Sequence, residues 1–94
     1  MNFYKKNMKF YGESAQLDKL QEECFELAEA ISELEDFERL YGIDGSGENI
    51  NHICEEMADV EIMIKQFRTL KPYRIRINWW RKYKIKRQRG RWSE

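Results

Sequence analysis

Leu17, Leu20, Cys24, Leu27, Ile31 and Leu34 recur at steps of three and four, and Ile50, Ile53, Met57, Val60, Ile64 and Phe67 repeat the pattern further on. Such steps keep side chains on one face of a 3.6-residue helix, so each run predicts an amphipathic helix with a bundle-type seam. The first helix is expected over 14–41, with Ser14 after Gly12 as its N-cap. The second is expected over 49–71, capped by Asn49 or Asn51 and stopped by Pro72. Gly42, Gly45, Ser46 and Gly47 interrupt the pattern and predict a loop. That loop folds the helices back on each other as an antiparallel hairpin.

The flanks read differently. Phe3, Tyr4, Phe10 and Tyr11 predict an apolar strap onto the hairpin. Over 72–94, Tyr73, Ile75, Ile77 and Trp79 alternate with Arg74, Arg76 and Asn78 as in a strand. Ile75, Trp79 and Tyr83, or Ile77, Trp80 and Lys84, fit a helix as well, and periodicity does not decide between them. The reading taken is a third, C-terminal amphipathic helix fraying near Gly90. The fold class is therefore all-α, a single domain over 1–94. A lone domain of this size buries only about 60–65% of its unfolded surface, which favours self-association. Two hairpins pairing into a four-helix bundle, as a homodimer or a dimer of dimers, is the expected assembly.

Charge sharpens the division. Residues 1–70 carry seven Lys/Arg and sixteen Asp/Glu, giving −9, whereas residues 71–94 carry ten Lys/Arg and one Glu, giving +9. Cys24 and Cys54 occupy apolar positions of helical patterns and are expected to be free core thiols; two cysteines do not make a small secreted disulfide framework. Met1–Phe10 is polar and lysine-rich rather than apolar, and no run approaches the roughly 18 apolar residues of a membrane span. A reduced, cytoplasmic protein is expected.

The chemistry lies in two short acidic signatures, Glu23-x-x-Glu26 and Glu56-x-x-Asp59. Residues three apart share a helix face, so each signature projects two carboxylates the same way. Ala30 and Met63, rather than cations, follow Glu26 and Asp59 at i+4. Glu22-Glu23-Cys24-Phe25-Glu26-Leu27 also aligns with Glu55-Glu56-Met57-Ala58-Asp59-Val60, thirty-three residues on. In an antiparallel hairpin the equivalent faces meet, and all four carboxylates are expected to converge. Four oxygen donors suit a hard divalent cation, Mg²⁺ or Mn²⁺. Against this stands the plainer reading of two solvated acidic faces.

Gln16-Leu17-x-Lys19-Leu20-x-Glu22-Glu23-x-x-Glu26-Leu27 with Ile53-x-Glu55-Glu56-x-Ala58-Asp59-Val60 resembles the MazG-like nucleotide pyrophosphohydrolases, over about residues 14–70. The gap between the two halves is at or slightly beyond the upper end usual in that family. The resemblance implies an all-α, Mg²⁺-dependent enzyme that splits nucleoside triphosphates into a monophosphate and pyrophosphate, a nucleotide-pool housekeeping role. Carried over by motif, Glu23, Glu26, Glu56 and Asp59 become metal ligands and catalytic residues, and Glu22 a supporting catalytic carboxylate that helps orient water. Lys65 and Arg68 are candidates for phosphate binding, set against their reading as solvated helix charges. Lys19 is expected to pair with Glu23. Gln16, or an aromatic from either end, could contact the base. His52 reads as a surface or supporting group.

The basic, aromatic tail from Arg74 to Arg91, with Trp79, Trp80, Tyr83 and Trp92, has several readings. It could dock on the acidic body or a neighbouring subunit, bind nucleic acid through cations and stacking rings, or lie on a membrane surface. Internal docking ranks first. The alternative function is a non-enzymatic dimeric helical protein that binds nucleic acid through this tail.

Overall fold

The computed structural model describes residues 2–41 and 47–92, with the backbone alone of Leu40 and Tyr41. Four helices occupy them: α1 (Phe3–Tyr11), α2 (Glu13–Tyr41), α3 (Gly47–Phe67) and α4 (Lys71–Trp92). The protein is all-α, with one helix more than the sequence pattern predicts. The expected glycine-rich loop lies outside the described residues except for Gly47, which begins α3. Among the described residues no helix is long and apolar enough to cross a membrane.

The extra helix is the aromatic strap. Asn2 caps it by accepting from the Lys5 amide at 2.9 Å, which satisfies one of the free N–H groups of the first turn. Gly12 ends it at φ 89°, ψ 158°, a conformation almost confined to glycine. The Gly12 amide donates to the Met8 carbonyl at 2.8 Å, and the Gly12 carbonyl accepts from Gln16 at 3.1 Å. One residue thus closes α1 and opens α2. Ser14 is therefore inside the helix and not its N-cap.

Helices α2 and α3 form the expected antiparallel pair, with α1 laid against both. Their contact line is rotated from the apolar seams. On α2 the buried residues are Gln16, Glu23 and Ala30; on α3 they are Ile53, Glu56, Met63, Gln66 and Phe67. Leu17 and Ile31 of α2, and Ile50, Met57 and Ile64 of α3, are exposed. The apolar arc of each helix is wider than one partner covers, so one edge lines the hairpin and the other is left as an outward strip. Cys24 and Cys54 are both free and exposed, against the expectation that they are core.

Pro72 sits in the first turn of α4, where its missing N–H costs no helical hydrogen bond. The turn before it is held by the Arg68 amide on Ile64 O at 3.0 Å and by Thr69 Oγ1 on Gln66 O at 2.6 Å. Tyr73 anchors the helix start, its ring 4.9 Å from that of Phe67 and its hydroxyl donating to Glu13. Arg68 also reaches Asn78. Ile77 is half-buried, and no residue of α4 is fully buried.

Candidate metal centre and its pocket

The rotation of the hairpin is what places acids inside. Glu23 of α2 is 6% exposed and Glu56 of α3 is 7% exposed. With half-buried Asp59 they form a group whose carboxylate oxygens lie within 4.8 Å of one another. Glu23 Oε2 and Glu56 Oε2 are buried without a hydrogen-bond partner. An unpaired buried carboxylate oxygen is costly, and a cation is one means of offsetting that cost.

The donor set fits a hard cation. Octahedral Mg²⁺ with ligands at about 2.1 Å places cis oxygens about 3 Å apart and trans oxygens about 4.2 Å apart. A group spread to 4.8 Å is slightly open for that shell, and side-chain rotation would be needed to close it. Three protein oxygens leave room for water and phosphate, the arrangement Mg²⁺ favours.

Glu26 lies beside the group but outside it. Burial, followed by repulsion from Glu23, Glu56 and Glu22, holds its carboxyl above the ordinary value. Asp59 is raised as well, first by burial and then by the charges of Glu23 and Glu55. Lys19 gives partial compensation: its Nζ is 3.0 Å from Glu23 Oε1 and 3.8 Å from Glu22 Oε2. The hydrogen bond to Glu23 and that carboxylate's charge raise the Lys19 ammonium in turn. Glu22 is mostly exposed, on the outer side of α2. His52 Nδ1 stands 4.0 Å from Glu56 Oε1.

Glu23 and Asp59 form one end of a pocket of about 440 Å³ between α1, α2 and α3. Its other walls are carboxamides and apolar groups. Gln66 is fully buried; its Oε1 accepts from Asn7 Nδ2 at 2.6 Å, and its Nε2 faces Met63 Sδ at 3.1 Å. Gln16 is 5% exposed, and its Oε1 is buried without a donor. Tyr11, Ile62 and Met63 supply the non-polar surface. The volume is in the range of small-molecule sites.

The sequence offers Gln16 as one of several candidates for base contact, without a pattern that selects it, and does not offer Asn7 or Gln66. These two are polar, and no spacing rule marks them; the offset of acids from seams by one residue was the available signal that polar groups face inward. Lys65 and Arg68 are placed elsewhere, on a separate groove with Leu27, Met57 and Ile64. Lys65 there pairs with Glu61 at 3.2 Å and stands 5.7 Å from the Tyr4 ring centre. Lys19 is the cation that lines the acid pocket.

No protein-family model matches the chain, and neither the curated proteins nor the solved structures contain a match to it. Fold and site together define an all-α, four-helix protein with an acidic group that could hold a metal ion.

Proposed function

We propose that this protein is a metal-dependent nucleoside triphosphate pyrophosphohydrolase of the MazG-like kind, using Mg²⁺ or Mn²⁺ at Glu23, Glu56 and Asp59. The observation that carries the reading is the meeting of these three acids, two with unpartnered buried oxygens, where Glu23 and Asp59 line a pocket. A bound cation would neutralise polyphosphate charge and acidify a water. Glu26, whose raised carboxyl stands next to the group, would accept the proton from that water. Glu22 supports it from the rim. Attack at the α-phosphorus forms one P–O bond, breaks the bond to the bridging oxygen, and releases pyrophosphate and a nucleoside monophosphate.

The remainder of the pocket suits a nucleobase. Gln16 offers an acceptor that lacks a donor, the Asn7–Gln66 pair lies beside it, and Tyr11 and Ile62 give flat apolar contact. Lys19 is the nearest cation for phosphate and would turn from Glu23 when a metal takes its place. Two copies pair through the outward strip of Leu17, Ile31, Ile50, Met57 and Ile64, giving the bundle four hairpin helices.

Phosphorus NMR of triphosphate turnover in ¹⁸O-water tests the chemistry. The expected products are pyrophosphate and a monophosphate carrying the heavy oxygen. Label found in pyrophosphate alone would refute α attack, and no turnover of any nucleotide with either metal would remove the enzymatic reading.

A further inference from the structure

Two surfaces of opposite charge are uncovered on the same chain. α4 carries ten Lys/Arg and no Asp/Glu. α2 carries ten Asp/Glu against only Lys19 and Arg39. The ion pairs of Lys19, Arg39, His52 and Lys65 each lie within α2 or within α3, and α4 reaches the acids of α2 through the Tyr73 hydroxyl on Glu13.

Each surface also carries apolar groups that water does not favour. Asp18, Glu22, Phe25, Glu29, Glu33 and Asp36 follow at steps of three and four along the outer side of α2, all exposed. Phe25, in the middle, is 70% exposed. On α4, Trp79 and Tyr83 stack with ring centres 5.7 Å apart and Trp80 lies edge-on to both, all three about half exposed. Lys82, Lys86 and Arg87 flank those rings, with Arg87 over Tyr83 at 5.9 Å. At 1.5 Å per residue the acidic stripe is about 27 Å long and the basic run about 30 Å, so the two match in length.

α4 also borders the outward strip. A groove with Leu27, Met57, Val60 and Ile64 on its floor has Arg68 and Arg81 on its wall. A second body seated on that floor therefore meets α4. We propose that α4 is a clasp for a second copy of this chain. Its cations and stacked rings close over the acidic, Phe25-centred outer side of the partner's α2, and two-fold symmetry forms the contact twice. This inference rests on the pairing of two copies stated above and not on the chemistry of the acid pocket. A membrane surface is a poorer occupant, because Arg76 and Arg87 on the ring side leave α4 no charge-free apolar face. Nucleic acid is poorer as well, since the acidic body repels phosphate.

Reciprocal charge reversal in the full chain, read by sedimentation velocity, tests the clasp. All four positions changed are exposed, and circular dichroism checks that each variant keeps its helix content. Lys82→Glu with Lys86→Glu is expected to weaken self-association more than about tenfold, and so is Glu29→Lys with Glu33→Lys, because like charges then face each other. An equimolar mixture of the two variants restores opposite charges at both contacts and is expected to return the parent's association. Dimers indifferent to either reversal would overturn the clasp while leaving the pairing intact, as would a mixture that stays apart. A parent that is monomeric at every salt concentration would overturn clasp and pairing together. Binding of a labelled oligonucleotide by that monomer, lost in Lys82→Glu/Lys86→Glu, would assign α4 to nucleic acid instead.

Discussion

Glu56→Gln separates a site held ready for a cation from one that is merely acidic. Glu56 is buried with Oε2 unpartnered, and its carboxylate stands within 4.8 Å of those of Glu23 and Asp59. At that spacing, and an effective dielectric of about 20, each pair of full charges repels by about 3.5 kcal/mol. A proton taken up by Asp59, whose carboxyl is already held high, removes part of this. The amide has the same shape, carries no charge and brings two donors. A net gain of about 1–2 kcal/mol in metal-free protein follows, roughly 5–15 °C in Tm for a domain of this size. Calorimetry in EDTA reads that gain. Added Mn²⁺ or Mg²⁺ should then stabilise the parent by about 2.7 kcal/mol at a hundredfold excess over Kd, and leave the variant flat. Pyrophosphate release should disappear with it. If the variant melts below the parent in EDTA and neither responds to metal, Glu56 is a structural residue and the reasoning fails.

Three further outcomes follow from particular residues. Gly12→Ala should cost about 1–3 kcal/mol by urea unfolding, all of it backbone strain, because a Cβ there meets nothing within 4 Å; an unchanged midpoint would show that the α1–α2 joint relaxes. Gln66→Ala should cost about 2–4 kcal/mol through the cavity and the stranded Asn7 amide, and a loss under 1 kcal/mol would mean that α1 is not held there. In EDTA, Glu26 and Asp59 make the folded chain bind more protons than the unfolded chain between ordinary carboxylate pKa values and their raised ones. Stability should therefore fall as pH rises through that window and level off above it, relative to an Asp59→Asn control. A difference that grows with pH would reverse the sign and refute the assignment.

The hairpin was legible because its seams persist for many turns, and periodicity of that length has few other causes. What periodicity could not supply was phase. Leu17 and Gln16 are neighbours, and the polar one is buried while the leucine is 43% exposed. Cys24 beside Glu23 shows the same inversion. The acid signatures gave three of their four members to one group; Glu26 stands beside it, next to the like charges of Glu23, Glu56 and Glu22. Helix α1 was not legible as a helix. Of its large apolar residues only Met8 is buried, so its aromatics carry no seam, and its docking is made by Asn7, a residue type that patterns treat as surface. The expected contact of the tail with the acidic body is made near the start of α4, by Tyr73 on Glu13 and Arg68 on Asn78, and at the groove that Arg81 lines.

Nine residues are too few for a helix to persist alone in water, where a segment needs roughly 12–15. The third wall of the pocket therefore exists only while Met8 and the Asn7–Gln66 bond hold it against the hairpin. Filling the pocket and ordering the first dozen residues are then one equilibrium. A ligand would slow amide exchange in α1 far more than in the long helices beneath it, and an empty site would be the first part of the molecule to come undone.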